Sequence, residues 1–421
     1  MTPAEAESAE RPERRRRARV RPRELEFHLL VLVTLGLVAF GLVMVYSASS
    51  ARSALAAGDP AYYLKRQALY ASVGLAALAI LARLDFRLLR RAGGPLLLVT
   101  LVFLGAVLVL GTPVNGARRW LSLGILDFQP SELAKLALAL WLAALLARRR
   151  PPRSLAGLAR PIGVVLLVAC ALILAEPDLG TATAIAIMAA AILVVAGTPI
   201  RVLGAAGGLA VTIVLAAAWL EPYRRARIFS FLDPWSDPDG AGFQSVQAMI
   251  ALGSGGIFGV GLGESVQKIH YLPEASTDMI FAIVGEELGL IGAVAVIAAF
   301  AAFGYAGFSV ALRCRDRFGK LLAAGLTALV CGQAAVNLAA VLGLAPLTGI
   351  PLPFVSYGGS SLIVALSAVG ILLNIAVDDG GKARARVPDR GRRHGGPRPA
   401  GARARAGAEG ARRERDVRRL A

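Results

Sequence analysis

Cysteine, histidine and acidic side chains are all scarce in this 421-residue chain. Its three cysteines, Cys170, Cys314 and Cys331, form no CxxC pair, so neither a disulfide framework nor a structural zinc site is supported. No HExxH and no GxSxG occurs, which removes the zinc-protease and serine-hydrolase signatures. Walker A is missing too, because Gly319-Lys320 and Gly381-Lys382 lack the upstream glycine and the following Ser or Thr. Charge is sparse at 18%, and Asp+Glu number 28 against 46 Lys+Arg, so a formal net charge of +18 must sit in a few polar stretches. The hydrophobic share of 56% is above that of an ordinary soluble domain and argues against a cytosolic enzyme.

What is abundant is apolar runs. Residues 27–47 carry no charge and are long enough to cross a hydrocarbon core of about 30 Å. A cleaved signal peptide is the alternative, with Ser47, Ala48 and Ser49 as a cleavage-site mimic, but its apolar stretch would be shorter. Further segments follow near 68–82, 95–111, 133–147, 162–175, 181–197, 202–220, 279–308, 321–343 and 361–377. The expected fold class is therefore an all-α polytopic membrane protein with ten transmembrane helices. Short cytoplasmic loops concentrate Lys and Arg. Arg83, Arg87, Arg90 and Arg91, then Arg148 to Arg150, Arg153 and Arg160, then Arg201, then Arg313, Arg315, Arg317 and Lys320 fall on alternate connections. Both termini are expected in the cytoplasm.

Three parts follow: a basic and acidic tail at 1–26, a ten-helix membrane domain at 27–377 with a large extracytoplasmic loop at 221–278, and an Arg-rich tail at 379–421. Both tails lack apolar periodicity and are expected to be disordered. The C-terminal tail has no aromatic residues to stack on bases, so attraction to anionic inner-leaflet lipid is preferred to nucleic-acid binding.

Polar residues outside the tails cluster on the outer face. Asp278 closes the phrase YLPEASTD at the mouth of the eighth segment. It is open to two roles, a complement to the helix dipole with Ser276 or Thr277 as cap, or a general base for a sugar hydroxyl. Glu132 and Lys135 are three apart on one helix face, either a structural ion pair or part of a site. Glu176 and Asp178 in EPDLGT sit in a Pro/Gly turn, and Arg118, Arg119 and Trp120 form a basic interfacial loop that is an anchor or a diphosphate contact. The Gly-rich stretch at 253–263 contains no GxGxxG and reads as a close-packed loop. Residues 343–361, broken by proline and glycine yet apolar, should re-enter the protein and line a cavity, because such backbone finds no partners in lipid. Ser356 and Gly358 lie there.

These phrases, NGARRWLSLG, FQPSELAKL, EPDLGTAT, YLPEASTDMIFAIVGEELGLIGA and PLTGIPLPFVSYGGSS, occur in this order over about Leu29 to Val377. Together they resemble the SEDS family (shape, elongation, division and sporulation), typified by FtsW and RodA, with FQPSELAKLAL and TGIPLPFVSYGGSS closer to the FtsW branch. The resemblance implies a peptidoglycan glycosyltransferase of the bacterial cytoplasmic membrane, acting at the division septum. It would polymerise lipid II with inversion onto a GlcNAc C4 hydroxyl and release undecaprenyl diphosphate. Implied partners are a class B penicillin-binding protein transpeptidase and divisome membrane proteins, with no nucleic acid. The resemblance makes Asp278 the catalytic carboxylate and places Glu132, Lys135, Asp178, Arg119, Lys268, Ser356 and Gly358 at the substrate. One departure is Ser276, where many members carry His. No soluble cofactor is implied; the family allows a divalent cation, magnesium or manganese, although no ligand motif is present. A lipid flippase or transporter, a non-catalytic scaffold, and the elongation-type relative are the competing expectations. Glu286 and Glu287, deep in the eighth segment, are the residues that favour transport; otherwise they should pair with an Arg or Lys of a neighbouring helix.

Overall fold

A computed structural model describes residues 22–114, 117–124, 126–220, 229–269 and 271–378. Residues 1–21 of the tail expected at 1–26, the tail expected at 379–421, and Arg224, Arg225, Arg227 and His270 lie outside the described residues, whereas 22–26 are helical and not disordered as expected. Helices are α1 (Pro22–Ala57), α2 (Tyr62–Arg83), α3 (Phe86–Leu110), α4 (Pro130–Arg148), α5 (Leu155–Ala175), α6 (Leu179–Ala196), α7 (Ile200–Leu220), α8 (Phe243–Ser254), α9 (Ile280–Arg313), α10 (Arg317–Val341) and α11 (Gly359–Val377). Among the described residues, nine are long and apolar enough to span a membrane. The tenth expected segment is α7, of which the stretch Ile200–Ile213 is apolar but shorter than a span. Helix α1 starts five residues before the apolar run, because Glu26 is buried against Arg313 rather than solvated in the tail.

Local chemistry sets the helix ends. Asp85, Ser154, Asp178 and Asp316 each accept a backbone N–H as N-caps, Pro130 opens α4, and Gly197 closes α6 in the left-handed region. Helices α4, α10 and α11 are the most enclosed, whereas α2, α3 and α5 present most of their surface outward. The outward faces carry Leu98, Val102, Leu167 and other large apolar side chains, as expected where the solvent is hydrocarbon.

One end of the bundle is tied together by Glu26–Arg313, by Arg87–Asp378 at 2.6 Å, and by Arg317 donating to the Arg149 carbonyl at 3.3 Å. These are residues of the basic connections, so the charge alternation read from sequence corresponds to one physical end.

The all-α expectation needs one correction. Between α3 and α4 the chain forms a small antiparallel sheet, β1 (Thr112–Val114), β2 (Ala117–Leu123) and β3 (Leu126–Phe128), in the order β1-β2-β3. Asn115-Gly116 between β1 and β2 is the dipeptide most favoured in tight hairpins, a signal the helix count obscured. The sheet is pinned to the bundle by Arg66 on Asp127 at 2.8 Å and by the Tyr70 hydroxyl accepting from the Asp127 N–H at 3.1 Å.

Helix α9 is interrupted at Gly289, whose φ of 66° and ψ of −161° only glycine adopts readily. The freed backbone groups are answered by the Gly-rich loop: Val260 N–H to Glu286 C=O at 3.0 Å, Gly261 N–H to Glu287 C=O at 3.1 Å, and Leu290 N–H to Gly256 C=O at 2.9 Å. Residues 253–263 are thus a close-packed loop, as expected.

Candidate active site

At the end of the bundle opposite the Arg313 and Arg87 pairs lies a cleft of about 460 Å³. Five of the expected residues line it: Arg119 from β2, Glu132 from α4, Asp178 at the start of α6, Asp278 just before α9, and Gly358 just before α11. Residues 200 positions apart in sequence converge because α4, α6, α9 and α11 all begin at this end.

Asp278 is half-buried and does not sit inside the first turn of its helix. The helix opens at Ile280 after Met279, which makes no side-chain cap bond. Neither Ser276 nor Thr277 caps it, because Glu274 (φ 55°) turns the chain back and takes the Thr277 and Met279 N–H groups on its carbonyl at 3.0 and 3.3 Å. Thr277 donates its hydroxyl to the Glu274 carboxylate at 2.8 Å and lies 3.4 Å from the nearer Asp278 oxygen. The Asp278 backbone is held from below, where Asn337 Nδ2 donates to the Asp278 and Ile350 carbonyls at 2.7 and 2.8 Å.

Glu132 and Lys135 form the expected pair, one turn apart, with Nζ at 2.7 Å from Oε2 and both side chains nearly fully buried. Lys135 also donates to Gln333 Oε1 at 2.8 Å. Glu132 reaches the cleft, and Lys135 stands behind it. Pairing plus a neutral amide offsets part of the cost of burying an ammonium group in a low-dielectric setting.

Asp178 accepts the Thr181 N–H at 2.9 Å and the Thr181 hydroxyl at 2.7 Å, so one carboxylate is both helix cap and cleft wall. Arg119 donates through Nε and Nη2 to the carbonyls of Glu176 and Pro177, both at 2.6 Å. Glu176 itself is fully enclosed, and neither carboxyl oxygen has a hydrogen-bond partner among the described residues. Desolvation, reinforced by the Asp178 charge and opposed by Arg119, pushes its pKa from the usual carboxylate range up to about 8.

Residues 343–358 do turn back into the protein. Pro351 C=O accepts from Gln333 Nε2 at 2.9 Å, Ser356 C=O from Gln67 Nε2 at 3.1 Å, and Leu352 N–H donates to Ser356 Oγ at 2.8 Å. The segment lines the cleft through Gly349, Ile350, Pro351, Tyr357 and Gly358. Ser356, expected at the substrate, is buried and faces inward, where its hydroxyl holds the re-entrant turn. Lys268 is not on this cleft either. Its ammonium is spent on Glu287 at 2.7 Å, the Gly263 carbonyl at 2.6 Å and Ser47 at 3.1 Å, while it borders a second cavity. The cation paired with Glu287 is therefore Lys268, which comes from the loop before α9 and not from a neighbouring helix as expected. Glu286 accepts the Ser265 hydroxyl and the Val266 N–H.

Sequence reasoning missed Gln129, Gln333, Asn337, Glu274 and Tyr357. Gln333 and Asn337 could have been found: they are polar, four apart on one face of an otherwise apolar helix, and such residues in a span need partners. Among the described residues, no three His, Cys, Asp or Glu side chains converge as a metal site. The carboxylates present do not by themselves make a cation site.

A family model for FtsW, RodA and SpoVE, described as "Cell cycle protein", matches residues 27–380. The "Probable peptidoglycan glycosyltransferase FtsW" of Trichlorobacter lovleyi is 43% identical over 351 residues, covering 83% of this chain and 92% of the relative. "Stage V sporulation protein E" of Bacillus subtilis is 39% identical, covering 83% and 96%. Among solved structures, a chain from "Structural coordination of polymerization and crosslinking by a peptidoglycan synthase complex" superposes with a TM-score of 0.69 at 33% identity, covering 86% of this chain and 98% of that one. The rod shape determining protein RodA of Thermus thermophilus gives a TM-score of 0.60 at 32% identity, covering 82% and 95%.

Proposed function

This chain belongs to the FtsW, RodA and SpoVE family of cell cycle proteins, and from that premise we infer that it is a multi-pass membrane peptidoglycan glycosyltransferase of the FtsW type, polymerising glycan strands in cell division. Its substrate on this reading is lipid II, with undecaprenyl diphosphate released. A class B penicillin-binding protein is its transpeptidase partner and the septum its place of work. On this reading ten helices cross the membrane, the nine long apolar ones and α7 over its full length Ile200–Leu220, with both termini inside. The shared basic end formed by Arg87, Arg149, Arg313 and Arg317 supports that orientation, in which the cleft opens outside.

One observation carries the chemistry: Asp278, Glu132 and Asp178 line a single cleft at the outer end of the bundle. Acceptor activation requires a carboxylate that water and a lipid-anchored sugar can both reach. Asp278 meets this need. It is half-buried, its backbone is clamped by Asn337, and Thr277 supplies a hydroxyl alongside. Both Asp178 carboxylate oxygens already accept hydrogen bonds, from Thr181 and, at 3.4 Å, from Gln129, and Glu132 is paired with Lys135, so both suit orienting sugar hydroxyls better than taking a proton. Arg119 retains guanidinium hydrogens beyond those given to the Glu176–Pro177 turn.

Transport is less well supported. Glu286 and Glu287, its best candidates, line neither cavity, and their charges are answered by Lys268, Ser47 and Ser265. The break at Gly289 is closed by loop backbone instead of opening a path.

The direct test is purified protein with its transpeptidase and fluorescent lipid II. Glycan chains should form with the unaltered protein, and Asp278→Asn should lower the rate by at least about 100-fold, with folding and complex formation retained. Unchanged polymerisation by Asp278→Asn would remove it from the mechanism, and lipid II crossing vesicle bilayers without polymer would favour transport.

A further inference from the structure

The cavity that Lys268 borders, about 490 Å³, opens beside the cleft and matches it in size. Arg52 at the end of α1, Tyr63 at the start of α2 and the loop before α9 form its walls. Glu274, Thr277 and Tyr357 line both cavities, so they are the partition between them.

The two cavities differ in charge. The first gathers Glu132, Asp178, Glu274 and Asp278 around one cation, Arg119, two of whose guanidinium nitrogens already donate to carbonyls. In the second the acid is Glu274 and the cations are Lys268 and Arg52. Lys268 is cancelled by Glu287 at 2.7 Å. Arg52 is exposed at the rim and makes no ion pair or hydrogen bond among the described residues. Beside it, the rings of Tyr63 and Tyr357 meet edge to face with centroids 5.0 Å apart, both on the cavity lining and suited to a sugar face.

We propose that this second cavity is the donor site, binding a polyprenyl diphosphate-linked saccharide with Arg52 on the diphosphate, while the acidic cleft takes the acceptor. The proposal rests on the polymerase reading and adds which cavity holds which end of the reaction. The acceptor hydroxyl oxygen forms a bond to the donor's anomeric carbon, and the bond from that carbon to the diphosphate oxygen breaks. The electron pair leaves with the diphosphate, and the hydroxyl proton passes to Asp278. Inversion requires the nucleophile and the leaving group on opposite faces of the donor sugar. A donor ring held at the Glu274–Thr277–Tyr357 partition meets that requirement, with the base on one side and a free guanidinium on the other. A diphosphate in the first cavity would face several carboxylates at short range, which like-charge repulsion opposes.

The experiment uses the full chain in complex with its transpeptidase, in nanodiscs, with undecaprenyl diphosphate as the probe. Binding is read by native mass spectrometry on the Asp278→Asn protein, whose turnover is slowed by at least about 100-fold. Adding Arg52→Gln should weaken binding by about 10- to 100-fold, the loss of one charged hydrogen-bonding partner. Arg52→Lys should recover part of it, and Arg119→Gln should change it little. In the active protein, Arg52→Gln should raise both the KM for lipid II and the inhibitory concentration of undecaprenyl diphosphate. Unchanged binding with Arg52→Gln, a loss caused by Arg119→Gln instead, or equal displacement by phosphatidylglycerol would each overturn the assignment. Absence of any polymer from the unaltered protein would count against the polymerase reading, and the binding measurement would still decide this one.

Discussion

The ammonium of Lys135 lies 2.7 Å from a carboxylate oxygen of Glu132, and each residue is 2% exposed. A buried pair of this kind is costly to break and less costly to delete, since removing one partner strands the other charge. Lys135→Met is therefore expected to destabilise by roughly 3 to 5 kcal/mol. The double variant Lys135→Met/Glu132→Gln should recover much of that while remaining inactive, because the cleft loses its orienting carboxylate. Thermal unfolding in detergent and the polymerisation assay, run on the same preparations, separate the two effects.

Glu176 provides a pH test. Its pKa is about 8 in the folded protein against an ordinary value of 4.5, chiefly because it is desolvated and then because Asp178 is nearby. Between those two values the folded state holds a proton that the unfolded state has lost, so stability falls as pH rises, by about 1.4 kcal/mol per pH unit less solvent screening, and levels off above the folded value. Glu176→Gln keeps the neutral shape and removes the titration. It should match the unaltered protein near pH 5 and melt several degrees higher at pH 8. Equal melting temperatures at both pH values would show that the group is ionised when folded.

Glycine placement gives a third expectation. A Cβ at Gly289 would stand 2.4 Å from the Gly259 nitrogen, and the backbone there has φ of +66°. Gly289→Ala should cost on the order of 3 kcal/mol or more from strain and overlap together. Gly36 has nothing within 4 Å of the same position in α1. Gly36→Ala should be neutral or stabilising by up to about 1 kcal/mol. Thermal unfolding of the two variants side by side checks the contrast.

Much of this architecture was legible in the residues because lipid imposes a simple rule: the apolar runs at 68–82, 133–147 and 361–377 sit inside α2, α4 and α11. The same rule made residues 343–361 readable as re-entrant, since proline-broken apolar backbone has to find partners in protein. What stayed hidden depends on long-range partners. Nothing in the local sequence says that Lys268 meets Glu287 and Ser47, or that the Ser356 hydroxyl faces the turn and not the cleft. The β2 strand was masked by its setting: Arg118, Arg119 and Trp120 read equally well as an interfacial loop, and only the Asn115-Gly116 pair argues for a hairpin.

Asn337 offers the last test, because it touches no cavity yet holds the proposed base. Its amide donates to the carbonyls of Asp278 and Ile350, joining the turn before α9 to the re-entrant segment across α10. Two donors from one amide are needed, so Asn337→Leu, of similar size, leaves both carbonyls without that partner and lets the Asp278 backbone drift. A displacement on the order of 1 Å can cost about 100-fold in rate when a base must meet a hydroxyl within hydrogen-bond reach. The loss should therefore fall mainly on kcat, with the KM for lipid II close to that of the unaltered protein and activity still above that of Asp278→Asn. If Asn337 served packing alone, Asn337→Leu would retain kcat, since the apolar side chain fills the same volume. A kcat within twofold of the unaltered protein would mean that Asp278 is positioned by the Glu274 turn and not by α10.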